Sequence, residues 1–124
     1  MKREITIKTK KFTIKIILNE TKTAEKITRA LPFRSTVNTW GNEIYFTIPV
    51  SAKIEKGVEI VEVGTVAFWP AGSALCIFFG KTPASVSEKP QAISPVTIVG
   101  NVKDKEDIGN LKEIGNGEEV EVTK

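Results

Sequence analysis

The chain has 124 residues, 40% hydrophobic and 27% charged, with a net charge of +3, the size and composition of one globular domain that buries a core without disulfides or metal. Its lack of histidine and its single cysteine, Cys76, exclude a Ser-His-Asp triad, His-ligated metals, thiol catalysis by an imidazole base and any intrachain disulfide. No run approaches the roughly 20 apolar residues of a membrane helix, and Met1-Lys2-Arg3-Glu4-Ile5-Thr6 alternates polar and apolar at once, so no signal region is expected and the cytoplasm is the expected compartment.

In chain order, residues 4–9 and 12–18 read as two strands, with Ile5/Ile7 and Phe12/Ile14/Ile16/Leu18 alternating about a turn at Lys10-Lys11. Asn19-Glu20-Thr21 supplies capping residues. Ala24, Ile27, Ala30 and Leu31 then fall at helical spacing, predicting one short amphipathic helix over 23–31 that stops at Pro32 and plugs a barrel mouth. Strands over 33–40 and 43–48 flank the hairpin turn Gly41-Asn42. Further strands are expected over 58–63, 66–69 and 74–79, with a turn at Pro70-Ala71-Gly72. Residues 80–94, holding Pro83, Pro90 and several serines, read as a loop beside whatever cleft exists. A strand over 96–102, a helical or turn segment near 105–111 and a last strand over 118–123 complete the pattern. About eight short strands and one clear helix point to a single all-β domain over 1–124, a closed antiparallel barrel with a capping helix, since closure removes exposed edges.

Charge is unevenly placed. Lys2, Arg3, Lys8, Lys10, Lys11, Lys15, Lys22 and Lys26 crowd the first quarter, and Asp104, Glu106, Asp107, Glu113, Glu118, Glu119 and Glu121 crowd the end. The lysines interleave with Ile5, Ile7, Ile14 and Ile16, as on the solvated side of a strand. Pairing of the acidic last strand with the basic first hairpin explains both runs without a nucleic-acid partner. One Met, one Cys and many Lys and Glu lean toward a heat-adapted source.

Strict alternation over 33–40 turns Arg34, Thr36, Asn38 and Trp40 to one face. An arginine and a tryptophan on one face suit a carboxylate or peptide carbonyl beside an apolar group; the alternative is a solvated arginine stacked on a half-buried ring. Trp69 ends a strand at a turn, a position that lines either a rim or a ligand wall. Tyr45 alternates with Ile44 and Phe46 and is expected to face outward. Phe78 and Phe79 take opposite faces, one of them in the core. Cys76, inside Ala74-Leu75-Cys76-Ile77-Phe78-Phe79, reads as a small core residue. Glu43 reads as a solvated or turn-bonding carboxylate.

The segments Trp40-Gly41-Asn42-Glu43-Ile44-Tyr45-Phe46-Thr47-Ile48-Pro49, Val63-Gly64-Thr65-Val66-Ala67-Phe68-Trp69-Pro70 and Gly72-Ser73-Ala74-Leu75-Cys76-Ile77-Phe78-Phe79-Gly80-Lys81-Thr82-Pro83, with Ser94-Pro95-Val96-Thr97-Ile98-Val99-Gly100, resemble the small cyclophilin-like domain family of archaea and bacteria. The resemblance implies an eight-stranded barrel closed at one end by a helix. It matches Arg34 to the arginine that polarises a prolyl amide, and Phe78 or Phe79 to a groove phenylalanine. Ser35–Asn42 replaces the family's Phe-Met-x-Gln-Gly-Gly stretch, and the groove histidine has no counterpart. A binding module for a peptide or small ligand, using Arg34, Trp40, Tyr45, Trp69 and Phe78, is therefore read ahead of a weak prolyl isomerase using Arg34. No cofactor, metal, nucleic acid or membrane is expected, and the chain is expected to act as a monomer or homodimer. Arg34 pointing into the barrel core, or tied to a carboxylate away from any cleft, would sink both readings as they depend on it.

Overall fold

The computed structural model describes residues 3–124, so Met1 and Lys2, read above as part of the N-terminal pattern, lie outside the described residues. The first hairpin forms as its alternation dictates: β1 (Arg3–Lys8) pairs antiparallel with β2 (Thr13–Leu18), and Ile5, Ile7, Ile14, Ile16 and Leu18 point inward. The helix α1 (Lys22–Ala30) starts at Thr21, whose side chain accepts from the Ala24 amide. Glu55 accepts from the amides of Lys22 (3.1 Å) and Thr23 (2.9 Å), which satisfies two more of the donors left open at a helix start. Ala24 and Ile27 bury the apolar stripe of α1 in the main core.

The extended segment after the helix changes partners at Val37. β3 (Phe33–Thr36) pairs with β10 (Glu119–Thr123), while β4 (Asn38–Thr39) pairs with β5 (Glu43–Thr47). Val37 between them bonds to Gly117 and Glu118 instead. With β6 (Val58–Ile60), β7 (Thr65–Trp69), β8 (Ala74–Phe78) and β9 (Gln91–Val102), the described residues form one sheet of ten strands. Its order is β3-β10-β1-β2-β9-β7-β8-β5-β4, with β6 attached to β9.

This corrects the expected closed barrel of eight strands. The ladder is a path with β3 and β4 at its ends, because the segment that carries both gives its hydrogen bonds to β10 on one side of Val37 and to β5 on the other. No ladder joins the ends, although Ser35 Oγ donates to the Thr47 carbonyl at 2.6 Å. Beside the one clear helix expected, the segment that read as helical or turn forms a second, α2 (Lys105–Asn110), which follows β9 and runs into a 3-10 turn at Leu111–Glu113. Neither is long and apolar enough to cross a membrane.

The expected loop over 80–94 is shorter than its composition indicated. β9 already begins at Gln91, and its first half pairs with β6 (Val58↔Val96, Ile60↔Gln91) before its second half joins β2 and β7. The register shift between the two β6 pairs gives β9 extra residues there, which accommodate Pro95 with its missing N–H. As expected, the acidic last strand lies against the basic first hairpin, with Lys8 opposite Glu121.

Two apolar clusters result. The larger lies on the inner face of the sheet and unites residues such as Ile7, Ile16, Phe46, Phe68, Ile77 and Val122. The smaller lies on the outer face of β5, β8 and β7, beneath β6 and the first half of β9, and contains Val61, Ala67, Cys76, Phe78, Ala92 and Val96.

Candidate functional site

A pocket of about 210 Å³ opens above the smaller cluster, lined by Trp40, Glu43, Tyr45, Trp69, Cys76, Ala92, Ile93 and Val96. Strand alternation builds it. Glu43 and Tyr45 are two residues apart on β5 and share its outer face; Tyr45 lies opposite Cys76 on β8, and Cys76 lies opposite Ala67 on β7. The small Ala67 and Cys76 leave room between the larger rings on either side.

Trp40 enters from the turn that joins β4 to β5, where its amide donates to the Glu43 carbonyl at 2.9 Å. Gly41 in this turn has φ +61°, and a Cβ there would come within 2.8 Å of the Pro83 ring. The turn is thus pinned to the chain at 81–83, and Asn42 bonds to the Lys81 carbonyl and the Phe79 amide. Trp69 closes the opposite side. Its Nε1 donates to Ser94 Oγ at 2.7 Å, and its six-membered ring covers Gly72, where a Cβ would come within 2.5 Å of it. Tyr45 and Trp69 meet edge to face, their centroids 6.3 Å apart and their planes at 81°.

Glu43 forms the polar part of the floor. It is only 5% exposed, and among the described residues no lysine or arginine pairs with it. Burial pushes its carboxyl up to about 7, against the opposing effect of a hydrogen bond from the Cys76 thiol. Burial, and then the nearby Glu43 charge, push the thiol well above its ordinary range. Cys76 therefore stays protonated and is no nucleophile.

Of the residues expected to form the site, the structure brings together Trp40, Tyr45 and Trp69. Phe78 is fully buried in the cluster below them and does not line the pocket. Arg34 lies elsewhere, with its side chain 76% exposed and 3.6 Å from Glu121, its cross-strand neighbour. It does not line the pocket: the chain between Arg34 and Trp40 changes partners at Val37, from β10 to β5. Glu43 corrects the expectation of a solvated carboxylate. Its signal was the same outward parity that placed Tyr45, two positions along. Cys76 is buried as expected, yet it also forms part of the pocket floor.

A family profile described as cyclophilin-like matches residues 1–123. The fold is similar to the solution structure of a hypothetical protein from Archaeoglobus fulgidus, with a TM-score of 0.81 and 35% sequence identity over 98% of this chain and 94% of that one. No curated protein matches the chain.

Proposed function

Because the chain belongs to the cyclophilin-like family, we propose that it is a binding module that holds a small organic ligand between Trp40, Tyr45 and Trp69. The observation that carries this reading is the convergence of three aromatic side chains, from separate parts of the sheet, around one buried carboxyl. A concave, mostly apolar site with a single fixed polar group is the usual form of a small-molecule pocket. The volume of about 210 Å³ exceeds the roughly 150 Å³ that holds benzene and falls short of the roughly 300 Å³ where drug-sized sites begin. The occupant is therefore about one ring in size, or a single side chain of a peptide whose remainder stays outside.

Arg34 has no part in this site, so prolyl isomerisation through Arg34 is not part of the reading. The family relationship supports regarding the curled sheet as a barrel wall whose two ends are carried by residues 33–39.

The test is a panel of small aromatic, amine and carbonyl compounds screened by NMR, with the two indole N–H resonances as reporters. Binders are expected to shift the signals of both Trp40 and Trp69 and to bind at least tenfold less tightly to Trp69→Ala. A panel that moves neither indole, or binders indifferent to that substitution, overturns the proposal.

A further inference from the structure

We infer that the ligand of this pocket presents a cationic nitrogen, a substituted ammonium group, to the aromatic rings of Trp40, Tyr45 and Trp69 with Glu43 as its counter-ion. The inference rests on the pocket being a ligand site, as proposed above, and adds the chemical class of the ligand.

The walls and the floor point to the same charge. Aromatic faces carry the negative side of the ring quadrupole and attract cations, most strongly where water is excluded. The polar group beneath them is a carboxyl, and no basic side chain of the described residues neutralises it. The other titratable groups lining the pocket are the Tyr45 phenol on β5 and the Cys76 thiol on β8. The remaining lining residues, Trp40 from the β4–β5 turn, Trp69 from β7 and Ala92, Ile93 and Val96 from β9, carry no charge.

A carboxylate this buried and without a basic partner is costly to ionise. A cation in the pocket removes that cost, whereas an anion would meet both the carboxylate and the ring faces unfavourably. A purely apolar occupant would offer Glu43 neither a counter-charge nor a hydrogen bond. The competing occupant is a neutral carbonyl compound, which would accept a hydrogen bond from Glu43 in its protonated form. The two differ in the sign of their pH dependence. Cation binding draws the proton off Glu43 and strengthens as pH rises, while carbonyl binding needs that proton and weakens. An alkylated ammonium group also suits the space better than a bare one, since it is less strongly hydrated and fills a volume of about 210 Å³.

The experiment compares choline with its uncharged carbon isostere, 3,3-dimethylbutan-1-ol, by indole shifts at pH 6 and pH 8. With the Glu43 carboxyl at about 7, choline affinity is expected to rise about tenfold between these values while the alcohol stays constant. In Glu43→Gln, choline should lose its pH dependence and most of its advantage over the alcohol, keeping only what the rings supply. Wild-type protein gives a reading independent of that variant's folding: choline binding at pH 7 should release about half a proton into unbuffered solution. Equal binding of alcohol and choline, affinity that strengthens toward acid, or no proton release overturns the cationic assignment. If compounds of the broader panel still bind, the pocket stands and only the assignment falls; if nothing binds, both fall.

Discussion

The first hairpin and the wall formed by β5, β8 and β7 are both antiparallel sheet, yet they are buried in opposite manners. Along β1 and β2 burial alternates, with Ile5, Ile7, Ile14 and Ile16 inward and Lys15, Thr13 and Lys8 in solvent. Along β8 every residue from Ala74 to Phe78 is buried, and along β7 only Trp69 is not. A strand that alternates has water on one side; a strand that is apolar throughout is covered on both. The cover here is β6 with the first half of β9, and it stops short of complete. The gap it leaves is the pocket. On such a two-sided wall a charged residue is the exception, which makes Glu43 informative where Lys15 on the hairpin is not.

The sharpest way to break this comparison is to test whether the outer cluster is a true core. Phe78→Ala is expected to cost about 3–5 kcal/mol in urea unfolding, as large a loss as a phenylalanine from an inner core, while Lys15→Ala on the open hairpin should cost less than about 1 kcal/mol. A small loss at Phe78 would mean that the outer layer is only loosely attached.

A somewhat smaller effect is expected from pH. The Glu43 carboxyl is raised from its ordinary 4.5 to about 7 in the folded protein, so the folded state holds this proton more tightly than the unfolded chain. The associated stability is complete below about pH 4.5 and is lost as pH rises through about 7, a change of about 3 kcal/mol across that interval. Denaturation midpoints at pH 5 and pH 8 should differ accordingly in the wild type and converge in Glu43→Gln. Glu4 and Glu55, whose carboxyls are lowered by their hydrogen-bond partners, titrate below this window and do not obscure it.

The smallest effect is expected from Ser94→Ala, which removes the acceptor from the Trp69 indole. It should cost about 1 kcal/mol and move the Trp69 N–H resonance while leaving that of Trp40 in place. Movement of both would show that the two walls of the pocket are coupled.

What the sequence made legible follows from the same contrast. Where one face meets water, alternation is clean, and the hairpin, the helix and the outward placement of Trp40 and Tyr45 could be read directly. Where both faces are covered the period fades, and residues 80–94 read as loop on Pro83, Pro90 and their serines, although β9 begins at Gln91 and carries Ser94 and Pro95 inside it. They are tolerated because β9 is irregular where it pairs with β6. Glu43 reads as a solvated or turn-bonding carboxylate, although its parity with Tyr45 points into the site. Arg34 shows the opposite failure. Its place beside Trp40 in the alternation over 33–40 does not bring the two residues together, because the chain between them changes partners at Val37. Identification of Arg34 with a groove arginine rested on family resemblance and not on distance.

The position of β10 between β1 and β3 has a consequence for how the molecule is made. Residues 119–123 must slot between segments more than eighty positions earlier in the chain, so the sheet reaches its full order only after its most distant contacts form. Topologies dominated by such pairings fold slowly. Until that insertion the backbones of β1 and β3 stand as open edges able to pair with another chain. A nascent or cleaved chain without this strand is therefore exposed to aggregation through those two edges, even with its helix and first hairpin in place.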